Sequence, residues 1–224
     1  MIEVARQAYP DRDTLMRDLA ELVADQLRAA HASKSHATLA VPGGTTPGPF
    51  LTALSQADLA WRDVRVLPTD ERLVSEMSSR SNLRLVRETL AQNRAADAHL
   101  IALHEPLLGA MTSRVAAALP IDVLVLGMGA DMHTASLFPG APELAAALAP
   151  EAPVLLEIHP PGQPEARLTL TATALRGVSV IHILITGPDK LAALETALQD
   201  GPVAEAPIRL ALTAPCPVTV HYAA

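Results

Sequence analysis

The chain is poor in aromatic rings: one tryptophan, two tyrosines and two phenylalanines among 224 residues. Its core must therefore be built from Leu, Val, Ile and Ala, and the stacking platforms that hold single-stranded nucleic acid are not to be expected. Basic residues are outnumbered, 17 Lys and Arg against 24 Asp and Glu, for a formal charge of −7. That balance argues against a nucleic-acid surface, which carries a basic patch or stripe. A single cysteine, Cys216, excludes an internal disulfide, and no Cys/His spacing resembles a zinc site, so a reducing compartment, the cytoplasm, is expected. No apolar run approaches the roughly 20 residues that cross a bilayer, and Glu3, Arg6 and Asp11 stand where a signal peptide needs an apolar stretch. No membrane partner, metal or organic cofactor is expected. The chain also lacks a G-x-S-x-G elbow, a GK[ST] phosphate loop and a dinucleotide fingerprint, which disfavours a serine acyl-enzyme, a P-loop nucleotidase and a nicotinamide enzyme.

What is present is a repeated pattern of apolar strand followed by polar bend. Ile121–Leu126 is a continuous apolar run broken only by Asp122, which suits a strand buried on both faces of a parallel sheet. It runs into Gly127, Gly129, Asp131, His133 and Thr134. In open α/β sheets ligands bind beyond the carboxyl ends of the strands, so this bend is a candidate site. Thr38–Val41 is a shorter strand running into Pro42–Pro47, where Gly43 and Gly44 let the backbone approach a ligand and Thr45 and Thr46 add hydroxyls. A helix beginning just beyond would favour an anion through its unpaired N–H groups; taken alone, the same loop also reads as an ordinary glycine turn. Val64–Leu67 delivers Thr69, Asp70, Glu71 and Arg72, and Val178–Thr186 delivers Gly187–Lys190.

Helical periodicity covers 11–30, with Asp11 or Asp13 as cap, then the stretches 47–54, 82–90, 107–119 and 142–148, and the segment after Gly187. Short strands are expected at 100–101, 154–158, 167–170 and 218–220. No repeat or linker is visible, so one domain over 1–224 is the economical reading.

Four bends, GGTT, TDER, GADMHT and GPDK, would converge on one edge of a parallel sheet. There Gly43, Gly44, Thr45, Arg167 and Lys190 would cradle a phosphate. Lys190 adds a physical motive, since a cation in the first turn of a helix opposes the dipole unless an anion is close by. His133 is the candidate acid/base, because its ordinary pKa suits proton transfer and Asp131 can orient the ring. An oxyanion would be held by backbone N–H groups of the bend or by Arg72.

The segment LGMGADMHTASLFPG resembles the LGxGxDGHTASLFPG element of the 6-phosphogluconolactonase family. PGGTTP is similar to that family's SGGSTP loop, with Pro42 and Thr45 in place of two serines; LPTDERLV with Ser81 and Asn82 resembles its TDER-V and SN elements, and RLTLT its R-x-T/S-L-T element. Three departures are Met132 where the family has glycine, the altered loop at 42–47, and the ending HYAA. The resemblance implies a three-layer α/β fold of the sugar-phosphate isomerase, Rossmann-like type, with a mostly parallel sheet and helices on both faces. It implies hydrolysis of 6-phospho-D-glucono-1,5-lactone, with His133 as base, Asp70, Arg72 and Asp131 lining the site, and Arg167 facing the phosphate. The partner expected is a phosphorylated sugar lactone, for a monomer or small homo-oligomer. A glucosamine-6-phosphate deaminase is the nearest rival, though Arg72 and Phe138 stand where that family has other residues; a non-catalytic sugar-phosphate sensor is another.

Overall fold

A computed structural model describes residues 1–103 and 108–224. The strands are β1 (Ala5–Ala8), β2 (Ala37–Val41), β3 (Val64–Pro68), β4 (Asp70–Arg72), β5 (His99–Leu100), β6 (Val123–Gly127), β7 (Leu155–Ile158), β8 (Arg167–Leu170), β9 (Val180–Thr186) and β10 (Val218–Ala223). The helices are α1 (Arg12–Ser33), α2 (Gly48–Leu54), α3 (Asn82–Thr89), α4 (Leu108–Ala116), α5 (Leu144–Leu148), α6 (Ala172–Arg176), α7 (Pro188–Ala197) and α8 (Arg209–Leu212).

Seven strands form a parallel sheet in the order β1-β10-β9-β6-β2-β3-β5. Each central strand sends alternate side chains into two separate cores. Val123 and Val125 join α1, α2 and α3 on one face, while Leu124 and Leu126 join α4 to α8 on the other. Burial on both faces is why these strands read as unbroken apolar runs. The order reverses between β2 and β6: from β2 the chain winds outward through β3 and β5, and from β6 it winds the other way through β9 and β10. A crevice opens at such a reversal because the loops leaving the two strands diverge to opposite faces.

Helix starts follow capping chemistry. Asp11 caps α1, its carboxylate accepting from Thr14 N at 2.7 Å, and Ser81 caps α3, its hydroxyl accepting from Arg84 N at 3.1 Å. The expected helices are present, most with trimmed ends, while α1 runs on to Ser33; the start of the one expected from residue 107 and the histidine at 104 lie outside the described residues. Three strands and α-helices besides β4 were not anticipated. β1 is four exposed residues, α6 has five residues and α8 four, too short for a period to show.

One expectation is corrected. TDER is not a polar loop on the edge of the parallel sheet, since Asp70–Arg72 forms β4 of a separate antiparallel sheet, β4-β8-β7. Asp70 pairs with Thr169 and Arg72 with Arg167, so two segments about a hundred residues apart lie side by side. Glu71 is fully buried between them and the start of α3, where its carboxylate accepts from Asn82 N (2.8 Å), Leu83 N (2.7 Å), Ser81 Oγ (3.0 Å) and its neighbour Arg72 N (2.7 Å). A carboxylate at a helix N-terminus is favoured by the dipole and takes up N–H groups that have no partner within the helix. What resembles a solvated charged turn is thus an internal brace.

Candidate active site

The loops leaving β2, β6 and β9 and the strand β4 meet in a cleft at the switch point. It is lined by Pro42–Pro47, Thr69, Asp70, Arg72, Asn82, Gly127–Gly129, His133, Ala135, Arg167, Leu184 and Lys190. Eight of the nine residues given a catalytic or binding role from the sequence line it: Gly43, Gly44, Thr45, Asp70, Arg72, His133, Arg167 and Lys190. The ninth, Asp131, is bonded to the imidazole of His133.

The histidine side of the cleft is built by a tight bend. His133 Nδ1 lies 2.5 Å from Asp131 Oδ1, and the same oxygen accepts from His133 N at 3.2 Å. Burial pushes the Asp131 carboxyl up, but the side-chain hydrogen bond and charge of His133, with its backbone N–H, outweigh it and hold the group below the ordinary value. An ionised Asp131 at Nδ1 fixes the tautomer and leaves Nε2 as the reactive nitrogen; Nε2 has no hydrogen-bond partner among the described residues. Gly129 is required here, since an added Cβ would lie 2.2 Å from His133 Nδ1 and 2.4 Å from Asp131 Oδ1.

Met132 does adopt a positive φ, 64°, in the left-handed region that glycine enters without penalty. The cost, of order 1 kcal/mol for a residue with a Cβ, is met by fixed neighbours: Met132 N donates to Gly129 O at 3.0 Å and Met132 O accepts from Ile208 N at 3.1 Å. The departure from glycine therefore leaves the bend intact.

The other side is cationic. Arg167 is 6% exposed; Nη2 donates to Gln163 Oε1 at 3.0 Å, Nη1 lies 3.9 Å from Asp70 Oδ2, and buried Nε has no partner. Burial lowers its pKa, opposed by Asp70. Lys190, in the first turn of α7, has no hydrogen-bond or ion-pair partner among the described residues, and burial lowers its pKa too. Arg72 donates to Arg80 O at 2.5 Å, and its buried Nε is also unpartnered. Buried cationic donors without acceptors are costly until an anion supplies them. Arg80 and Arg84, two further cations of the chain, are turned away to Glu165 and Glu88, each at 2.7 Å, and line no part of the cleft.

Three participants were given no role in the site from the sequence. Asn82 donates to Asp70 O at 2.8 Å and abuts the glycine loop so closely that a Cβ on Gly43 would lie 2.0 Å from its Oδ1. Ser136 ties the histidine bend to the second sheet, its hydroxyl donating to Asp70 Oδ2 at 2.5 Å and its N–H to Thr169 Oγ1 at 3.1 Å. Phe138 stacks against His133. A serine three residues from a candidate base gives no local signal of a partner 66 positions earlier in the chain. Asp70 itself is 5% exposed and bonds Ser136, Asn82 and Thr69, with His133 not among its partners. Among the described residues no group of His, Cys, Asp and Glu could hold a metal ion, and no helix is long and apolar enough to cross a membrane.

Fold and cleft together define the class: a doubly wound α/β protein with a small-molecule cleft at its switch point. The sequence profile described as Glucosamine-6-phosphate isomerases/6-phosphogluconolactonase matches residues 10–219. A Mesorhizobium japonicum protein named 6-phosphogluconolactonase is 43% identical over 225 aligned positions, covering 96% of this chain and 94% of its own. A Pseudomonas aeruginosa protein of the same name is 41% identical, with 98% and 94% covered. The crystal structure of a 6-phosphogluconolactonase from Shewanella baltica superposes with a TM-score of 0.96 at 34% identity, covering 99% of this chain and 98% of that one. The chain belongs to the glucosamine-6-phosphate isomerase/6-phosphogluconolactonase family.

Proposed function

We infer that the chain hydrolyses 6-phospho-D-glucono-1,5-lactone to 6-phosphogluconate, in the pentose phosphate pathway and in the cytoplasm. The relatives named above support the reaction over nearly the whole length of the chain. The observation that carries its assignment to residues is the shared cleft, with an aspartate-held histidine on one side and underpartnered cations on the other.

In this reading the 6-phosphate sits against Lys190, Arg167 and the Gly43–Thr45 loop, and C1 of the lactone lies beside His133. Neutral His133 takes a proton at Nε2 from the water that attacks C1. Ionised Asp131 stabilises the imidazolium that forms. The carbonyl oxygen becomes an oxyanion and needs donors, for which Arg72 and the N–H groups of the glycine bend are candidates. Collapse of the tetrahedral centre breaks the bond from C1 to the ring oxygen, and the imidazolium returns its proton to that oxygen. Asp70 organises the site by holding Arg167, Asn82 and Ser136 together.

Lactone disappearance by wild type and His133→Ala, compared with the spontaneous rate, tests this. General-base catalysis contributes about 10²- to 10⁴-fold, so the variant is expected to fall by that order. Equal rates for the two proteins would remove His133 from the mechanism, and ammonia release from an amino sugar phosphate would favour the deaminase.

A further inference from the structure

The ring of Phe138 lies face on against the imidazole of His133, with centroids 4.0 Å apart and planes inclined by 18°. The guanidinium carbon of Arg167 lies 5.0 Å from the centroid of the same ring. Phe138 is 5% exposed, and the turn that carries it is pinned by Leu137 N donating to Thr134 O at 2.9 Å and by Ser136 donating to Asp70 and Thr169. One buried ring therefore lies against both the proposed base and a proposed phosphate cation.

The bond from Asp131 to Nδ1 fixes one point of the imidazole. It leaves the ring free to swing about the line joining the two atoms, which would carry Nε2 out of the attacking direction. A flat surface 4.0 Å away removes that freedom, because any swing drives the imidazole edge into the phenyl face. We infer that Phe138 is a positioning residue for lactone hydrolysis: its ring sets the plane of His133 and, through Arg167, the span between base and phosphate-holding side. The inference rests on the functional reading above. Leucine fills much of the same space and is as apolar, yet presents no flat face; tyrosine restores the face.

The experiment measures kcat and KM for the phosphorylated lactone with wild type, Phe138→Leu and Phe138→Tyr, with thermal unfolding of each. Misplacement of a reacting group by about 1 Å costs on the order of 10²-fold in rate, and a partly freed ring is expected to cost about tenfold in kcat, with KM changed less than about threefold. Phe138→Tyr is expected to recover most of the loss. Should Phe138→Leu not fold, Phe138→Met, whose flexible side chain refills the space, carries the same expectation. Unchanged kcat in the non-aromatic variants, or a tyrosine variant as slow as the leucine one, overturns the inference. A wild type that does not accelerate hydrolysis overturns the functional reading and this inference with it, whereas an active wild type with unimpaired non-aromatic variants overturns this inference alone.

Discussion

Acid should destabilise this protein through two histidines far from the cleft. His182 on β9 and His221 on β10 lie against each other beneath α1, each 1% exposed. Tyr9 Oη is 2.8 Å from His221 Nδ1, His221 Nε2 is 2.9 Å from His182 Nδ1, and His182 Nε2 is 2.7 Å from Gln26 Oε1. One assignment of protons satisfies all of them. Tyr9 donates to His221, His221 to His182, and His182 to the Gln26 carbonyl, each ring neutral. A second proton on His182 would set two N–H groups against each other in a buried space. Burial, together with the neighbouring imidazole, pushes His182 down to about 3, and burial pushes His221 down to about 4, from 6.5.

Because both folded values lie below the unfolded one, the unfolded chain binds more protons as the pH falls. The contribution is complete above the unfolded pKa and is lost from about pH 6.5 toward the folded values. Each unit below 6.5 costs about 1.4 kcal/mol per ring, hence about 2 kcal/mol per ring, and about 4 for the pair, by pH 5. Set against a total of about 5–15 kcal/mol for an ordinary domain, that is a large fraction. Urea unfolding at pH 8, 6.5 and 5, compared with the double variant His182→Gln/His221→Gln, measures it. Wild type should lose about 4 kcal/mol more than the variant over that interval. Equal losses in the two proteins would refute the reasoning.

Three other outcomes follow from the geometry. Gly129→Ala should displace the His133–Asp131 pair and lower kcat by on the order of 10²-fold, with an unchanged far-UV circular dichroism spectrum; a fully active variant would show that the bend yields easily. Glu71→Gln should cost about 2 kcal/mol in chemical denaturation, because the amide turns a donor toward an N–H or hydroxyl that now donates to the carboxylate; an unchanged midpoint would count against the brace. Lys190→Met should raise KM by about tenfold with little change in kcat, as loss of uniform binding does. Without ligand its unfolding midpoint should hold or rise, since the cation it removes is half-buried and unpartnered, and a KM equal to wild type would place the phosphate elsewhere.

The sequence by itself determined the central strands of the parallel sheet and the bends at their ends. Val64–Pro68, Val123–Gly127 and Val180–Thr186 are buried on both faces, so nearly every position must be apolar, and that requirement is written locally. The Asp131–His133 pair was legible for the same reason: both residues lie within one turn of backbone. Glycine at 43 was legible as close approach, though to a ligand rather than to the side chain of Asn82.

What only the tertiary structure decided is everything that depends on two distant segments touching. β4 reads as a charged turn until β8 is beside it, because a three-residue strand has no period and its buried Glu71 is stabilised by N–H groups of α3. Ser136 finds Asp70, Phe138 lies between His133 and Arg167, and His182 meets His221 only once the sheets and strands are assembled. Burial on both faces leaves its mark on each residue in turn, whereas a hydrogen bond or a ring stack between remote residues belongs to a pair and leaves none on either member alone.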